Sequence, residues 1–339
     1  MASRRLNPPS IANPPAGLPT APAAQEFRSH VLTLPAAAAG LRFDQALARS
    51  LPQYSRALLA RWIGSGEVQV DGRPLRGKDR VLGGEQVCVA ARLPLATALT
   101  AEALPLSVLF RDAALFVIDK PPGLVVHPGA GNPAHTLQNA LLALDPRLAH
   151  VPRAGIVHRL DKDTSGLMLV ARTREAHAAL VAALAARAIR REYLAVCTGA
   201  LTAGGTIEQP LGRHRRERTR MAVRSDGRPA VTHYRVVRRF RAHTLVRVTL
   251  ETGRTHQIRV HLAHIGFPVV GDRVYGGRRR IPAGCSSALA SALRDFPRQA
   301  LHAARLALCH PLTGRERQWE APLPQDMQQL LAALEAERA

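Results

Sequence analysis

The sequence predicts an α+β protein, with a mixed, largely antiparallel sheet flanked by helices and a small α/β module in front of it. Three observations predict this. Strand-like and helix-like segments do not follow one another in a regular βαβ succession, which argues against a doubly wound sheet. Two neighbouring runs, residues 231–237 and 245–250, read as consecutive strands of an antiparallel meander. A separate helix–helix–hairpin pattern occupies residues 41–90.

At 339 residues the chain has room for a large core and a second, smaller domain. Residues 1–26 are rich in proline and alanine, and Glu26 is the first acidic residue. The repeated prolines oppose an amphipathic targeting helix, so a disordered tail is expected. From Leu41 the pattern turns helical, with Phe43, Ala46, Leu47 and Leu51 on one face. A second helix, with Ser55 as its N-cap, buries Leu58, Leu59, Trp62 and Ile63. Val68 and Val70 alternate into the Asp71-Gly72 turn, a hairpin signal, and Val87-Cys88-Val89 closes the module. Residues 91–106, with Pro94 and Pro105, read as a linker into a larger domain over residues 107–339.

In that domain, residues 115–118 and 167–171 read as strands. Residues 174–191 form a helix with Leu180, Leu184 and Ile189 inward, followed by a strand over 193–197. After the meander, residues 256–265 form a short helix with Ile258, Leu262 and Ile265 on one side. A late strand covers 306–309, and a terminal helix starts at Gln325.

Lysine plus arginine number 47 against 25 aspartates and glutamates, a net charge of +22 that calls for a polyanionic partner. Only Lys78, Lys120 and Lys162 are lysines; the rest are arginines, which fork onto phosphate and stack on bases. Arg56, Arg61, Arg73, Arg76, Lys78 and Arg80 give the N-terminal module an expected RNA-phosphate surface. Aromatic residues make up 4% of the chain, which weighs against a continuous base-stacking platform. The cysteines, Cys88, Cys197, Cys285 and Cys309, form no CxxC pair, so neither a zinc ribbon nor a disulfide framework is expected. No apolar run reaches membrane-spanning length and no secretory signal is evident. A cytoplasmic location is expected.

Three segments concentrate reactive side chains. His158-Arg159-Leu160-Asp161-Lys162-Asp163-Thr164-Ser165-Gly166 lies between apolar runs, which puts its carboxylates at the rim of a core. The stretch from Asp119 to Gly129 is a loop stiffened by prolines and glycines. The stretch from Glu251 to His261 is a turn entering a helix, on which Arg259 can reach an aspartate at a sheet rim. His256, His261 and His264 match no metal-ligand spacing and are expected to be structural or RNA-facing. No GxSxG elbow occurs, so a serine hydrolase is unsupported, and without a P-loop or dinucleotide fingerprint neither ATP nor NAD is implied; no metal or cofactor is expected. Carboxylate chemistry in a basic, RNA-like setting remains.

Two resemblances sharpen this reading. Leu41-Arg42-Phe43-Asp44-Gln45-Ala46-Leu47 and Gly66-Glu67-Val68-Gln69-Val70-Asp71-Gly72 are similar to the S4 RNA-binding domain. The His158 to Gly166 segment resembles the signature of the HRLD-motif rRNA/tRNA pseudouridine synthases. Lys120-Pro121-Pro122-Gly123-Leu124-Val125-Val126-His127 and Thr252-Gly253-Arg254-Thr255-His256-Gln257-Ile258-Arg259-Val260-His261 are similar to that family's flanking motifs. The resemblance covers residues 41–332.

The resemblance implies isomerisation of uridine to pseudouridine in 23S rRNA of the large ribosomal subunit, at uridines of the helix 69 stem-loop. It assigns Asp161 as the catalytic carboxylate, which attacks the uracil ring, attacks C1′ or removes a sugar proton. Arg259 is its implied cation, and Tyr193 the tyrosine that packs on the base and serves in proton removal. Arg159 is implied to fill the place of the flipped base, with His127 and Arg254 on the RNA-facing side. Lys120 is expected at a phosphate or as a brace of its loop. Arg213, Arg215 and Arg216, like Arg278, Arg279 and Arg280, are expected to grip RNA backbone. A monomer without membrane contact is expected. The alternatives are a sister enzyme for another rRNA site or a tRNA loop, and a non-catalytic assembly factor. Asp161, Tyr193 and Arg259 together weigh against the last.

Overall fold

The computed structural model describes residues 25–52, 54, 56–94, 100–129, 131–277 and 280–337. Most of the expected tail, the expected cap Ser55, and Arg278 and Arg279 lie outside the described residues. The chain divides into two compact units, residues 1–98 and 99–339.

The first unit comprises β1 (Gln25–Thr33), α1 (Phe43–Ser50), α2 (Arg56–Gly64), β2 (Val68–Val70), β3 (Arg73–Pro74) and β4 (Gln86–Pro94). Its antiparallel sheet has the order β1-β4-β2-β3. Phe43, Ala46 and Leu47 of α1 and Leu59 and Trp62 of α2 pack on Val68, Val87 and Val89, as their spacing predicts. β1 lies outside the sequence expectation. Its apolar side chains Phe27 and Val31 stay exposed, so no burial period marks it, and it is held through backbone pairing with β4. Gln25 and Glu26, expected in the tail, already belong to β1, and residues 91–94, expected in the linker, continue β4.

The second unit begins with β5 (Ser107–Arg111), β6 (Leu115–Lys120), α3 (Leu137–Leu144), β7 (Ser165–Ala171), α4 (Arg174–Ala185) and β8 (Arg190–Thr198). β9 (Gly205–Glu208), β10 (Leu211–Arg213), β11 (Met221–Val223), β12 (Val231–Arg239), β13 (His243–Leu250) and α5 (Gln257–His264) follow. The chain closes with α6 (Ser287–Asp295), β14 (Leu301–Cys309), β15 (Glu316–Glu320) and α7 (Gln325–Glu335). The large sheet runs β5-β6-β7-β14-β8-β13-β12-β9, with β15 beside β14. β7 and β14 pair in parallel and the other neighbours antiparallel, the mixed sheet that the sequence predicts. β10 and β11 form a separate ribbon.

β6 over residues 115–118 and β7 over residues 167–171 are apolar at every position because both faces of the sheet are covered there. Phe116, Ile118, Met168 and Val170 pack with Leu137 and Leu141 of α3, while Leu115, Val117, Leu167 and Leu169 pack with Leu180 of α4. The helix expected over 174–191 ends at Ala185: Arg187 adopts a left-handed φ of 59°, and Ile189 is buried on the approach to β8. α3 lies outside the expectation because even its Gln138 and Asn139 are buried, leaving no polar stripe to reveal a helical period.

Candidate active site

Asp161 sits in the turn that enters β7, where the Thr164 N–H donates to the Asp161 carbonyl at 3.1 Å. The turn leads into Gly166, whose φ is +110° and where a Cβ would lie 2.3 Å from the Ala303 carbonyl oxygen. Only glycine lets β14 approach this closely, and that approach fixes where the turn ends. Three side chains hold the turn from beneath, and His158 ties the segment before it to β7. Lys120 Nζ donates to the Lys162 carbonyl at 2.9 Å and to the carbonyls of Pro121 and Leu124 at 2.8 and 3.1 Å. Arg298 donates to the Asp163 carbonyl, and Gln299 to Thr164 Oγ1. His158 Nε2 accepts the Leu169 N–H at 3.0 Å.

Of its two expected roles, Lys120 takes that of a brace of its loop and not that of a phosphate contact. It is fully buried, and all the hydrogens of its ammonium group are spent on carbonyls, so none is left for phosphate. Burial pulls its amine down to about 7, against the opposing charges of Asp163 and Asp161.

α5 carries Arg259 to the same place. Its Nη1 donates to Asp161 Oδ2 at 2.8 Å, while Nε and Nη2 fork onto Asp272 at 2.7 and 2.9 Å. Asp272 also accepts the N–H groups of Val274 and Tyr275. Burial alone would lower the Arg259 pKa; the hydrogen bonds and charge of Asp272, joined by Asp161, raise it instead. Burial likewise opposes ionisation of Asp272, and Arg259 outweighs it, holding the carboxyl below its usual range. The Tyr275 ring lies under the Arg259 guanidinium at 5.0 Å. Tyr275 Oη accepts the Met221 N–H and shares a 2.8 Å hydrogen bond with His256 Nδ1. The other ring nitrogen of His256 stands 3.8 Å from Asp161 Oδ1, and burial keeps this imidazole below its ordinary pKa against the pull of Asp161. His256 does not begin the expected helix but caps α5 in a left-handed conformation.

Tyr193, from β8, lines the same cavity of roughly 530 Å³ as Asp161, Arg259, Arg159, His127 and Arg254. Burial raises the Tyr193 phenol above its ordinary pKa, and the Asp161 charge adds to the rise. Arg159 is exposed at the mouth, beside the carboxylate. Desolvation and the positive Arg159 lower the pKa of His127, whose Nε2 is buried without a protein partner. Arg254 donates to the Pro229 carbonyl from the cavity wall. Arg213, Arg215 and Arg216 are exposed on the β10–β11 ribbon, outside the cavity, and Arg56 and Arg61 are exposed on α2 of the first unit. His261 is structural, bonded to Thr232 Oγ1 and the Gln209 carbonyl. Asp272 and Tyr275 are absent from the sequence-based set. They lie on a loop without period, and the available signal was a Gly271-Asp272 turn after the apolar pair Val269-Val270.

A carboxylate tied to a doubly anchored arginine, facing a tyrosine in a cavity with arginines at its mouth, defines an enzyme built to act on RNA. Comparison with known proteins agrees. Residues 114–264 match the family model described as RNA pseudouridylate synthase, and residues 41–87 match the S4 domain. A ribosomal large subunit pseudouridine synthase D of Xanthomonas campestris pv. campestris is 55% identical over 306 residues, 90% of this chain and 92% of that protein. The protein of the same name from Escherichia coli K12 is 54% identical over 299 residues, 88% and 92% of the two chains. The solved structure of human RNA pseudouridylate synthase domain containing 4 superposes with a TM-score of 0.53 at 26% identity, covering 68% of this chain and 93% of that one. The chain belongs to the RNA pseudouridylate synthase family and is an enzyme of that class.

Proposed function

We propose that the protein isomerises uridine to pseudouridine in 23S rRNA of the large ribosomal subunit, at uridines of the helix 69 stem-loop, as a monomer with Asp161 as the catalytic carboxylate. The names of its relatives and the net charge of +22 support an rRNA substrate. The observation that carries the chemistry is the 2.8 Å contact between Asp161 and Arg259 in a cavity that Tyr193 also lines.

The reaction breaks the bond between N1 and C1′, turns the uracil and joins C5 to C1′; the C5 proton leaves and N1 takes one up. Atoms and electrons balance without a redox partner. The uridine must first leave its stack, and Arg159 is placed at the mouth to occupy the gap with a planar cation. Arg259 aims Asp161 through a charge-assisted hydrogen bond. The Asp272 fork fixes the guanidinium from which Asp161 is aimed. Tyr193 is held protonated by burial, which suits it to packing on the base rather than to acting as a strong base.

Mapping pseudouridines in rRNA from cells with and without this gene tests the reading, with complementation by Asp161→Asn. The helix 69 pseudouridines should vanish with the gene and stay absent with the variant. Restoration by Asp161→Asn would remove the catalytic assignment, and loss at other rRNA or tRNA sites would reassign the substrate.

A further inference from the structure

Arg191 has no role in the account above, and its setting is unusual. It lies on β8 with 8% of its surface exposed and lines the cavity together with Asp161 and Tyr193. Its Nε is sealed from solvent without a hydrogen-bond partner, and among the described residues no carboxylate forms an ion pair with it. The other well-buried arginines behave differently: Arg172 is tied to Asp145, Arg259 to Asp272 and Arg298 to Asp326. The nearby acids are already engaged, Glu251 by Arg187 and His233, and Glu192 by Arg247. Holding a desolvated cation without a counter-charge is costly, and such a site gains when an anion arrives with a ligand.

His158, another residue lining the cavity, carries a second orphan donor. His158 Nε2 accepts a backbone N–H, so its ring hydrogen sits on Nδ1, which is buried without a partner. Burial, and then the positive Arg191, push this imidazole down to about 3, so it is a neutral donor beside the cation. The Thr252-Gly253-Arg254 turn closes over the guanidinium, and a Cβ on Gly253 would stand 3.0 Å from Arg191 Nη1. Arg191 and Tyr193 are alternate residues of one strand and share its buried face, about 7 Å apart along the chain. That spacing is comparable to the reach of a nucleotide from its base to its phosphate.

We infer that Arg191 is the receptor for a backbone phosphodiester flanking the flipped uridine, so that β8 holds the base at Tyr193 and its phosphate at Arg191. The inference rests on the uridine reading given above and adds the group that anchors the nucleotide's backbone. His158 Nδ1 supplies the neutral hydrogen bond of the same receptor.

The test measures binding of the full chain to a helix 69 stem-loop oligonucleotide, unmodified or with one neutral methylphosphonate on the 5′ or the 3′ side of the target uridine. Removing a charged hydrogen-bond partner should weaken binding by about tenfold to a hundredfold. That loss is expected for Arg191→Gln on the unmodified RNA, and for wild type on one of the two methylphosphonate RNAs. The same methylphosphonate should cost Arg191→Gln less than about twofold more, because the two changes remove one contact. Each RNA comparison is made on a single protein, so partial unfolding of a variant cannot imitate the coupling. Should Arg191→Gln fail to fold, Arg191→Lys serves the same cycle, since a point charge loses the fork but keeps the cation. Gly253→Ala, which presses on Nη1, should weaken the unmodified RNA more than the methylphosphonate RNA. Equal methylphosphonate costs in wild type and variant at both linkages would overturn the receptor. Pseudouridine assays on the same samples separate the two readings. Coupling without pseudouridine would remove the reaction and keep the receptor, and pseudouridine without coupling would do the reverse.

Discussion

Arg259 and Asp161 meet through one hydrogen bond of 2.8 Å, while the rest of the Arg259 guanidinium is locked on Asp272. The division of labour follows from the fork. Two nitrogens define the plane of the guanidinium against Asp272, and the third is thereby aimed at Asp161. A lysine at this position would carry its donors on a single nitrogen and lose the planar fork that engages both carboxylates. The other Asp161 oxygen is left facing His256 at 3.8 Å, outside hydrogen-bond range.

Asp272→Asn should therefore damage the site without touching Asp161. Arg259 is buried, and with Asp272 neutral its charge would be balanced only by Asp161. Breaking one partner of a buried pair costs about 3 kcal/mol or more. The expected outcome is a lower denaturation midpoint together with a kcat reduced at least about tenfold, the reduction that about 1.4 kcal/mol of lost transition-state stabilisation produces. Unchanged kcat in a folded variant would mean that the anchor is dispensable for aiming.

Lys120→Met probes the underside of the catalytic turn. Three carbonyls would lose their donor, and at about 1 kcal/mol each the loss is about 3 kcal/mol. Because Lys120 reaches no solvent, the salt dependence of RNA binding should remain that of wild type. Denaturant titration and binding at several salt concentrations check both halves. A variant of full stability with a shallower salt slope would return Lys120 to the RNA-contacting set.

The segments of Asp161 and Arg259 were legible from strong local signals, a charged knot between apolar runs and a helical face, whereas Tyr193 and the catalytic role of Asp161 came only from the resemblance to the family. Asp272, Tyr275 and Arg191 were not legible, because their meaning arises only when β8, α5 and the loop after it converge. Nothing local distinguishes Arg191 from the paired Arg172. Phe43, Ala46 and Leu47 announced α1 by their spacing, whereas β1 exposes Phe27 and Val31 and is fixed by pairing with β4, with His30 bonded to Tyr54 and Leu32 against the core. The end of α4 was hidden because Arg187 carries no glycine-like signature for the left-handed turn it makes.

His302 should make the protein acid-sensitive. It is 1% exposed, with Nδ1 bonded to Ser165 Oγ and Nε2 facing the Ala321 carbonyl, and burial holds it down to about 4. The unfolded imidazole has its ordinary value of about 6.5. Between these values the unfolded chain takes up a proton that the folded protein refuses, so stability falls as pH drops, by up to about 1.4 kcal/mol per pH unit. The contribution is fully present above about 6.5 and lost as pH falls through about 4. His243, equally buried and also at about 4, acts in the same window. Denaturation midpoints across this range should fall more steeply for wild type than for His302→Gln. Parallel curves would show that another group dominates.

The β10–β11 ribbon should account for part of the salt dependence of RNA binding. Arg213, Arg215 and Arg216 are exposed on it, and among the described residues the Arg213 guanidinium donates only to the Arg218 carbonyl, at 3.0 Å, which leaves the rest of its fork available. Each phosphate neutralised contributes about 0.7 to 0.9 to the slope of log affinity against log salt. Replacing all three arginines by glutamine should therefore flatten the slope by about two, with affinity lost mainly at low salt. The base of the ribbon connects to the site, since the Met221 N–H on β11 is held by Tyr275 Oη beneath Arg259. A ribbon that only supplies charge would raise KM and leave kcat in place. One that also seats Tyr275 would lower kcat as well, and the outcome expected from the Met221 contact is a change in both. An unchanged salt slope would exclude these arginines from the RNA interface.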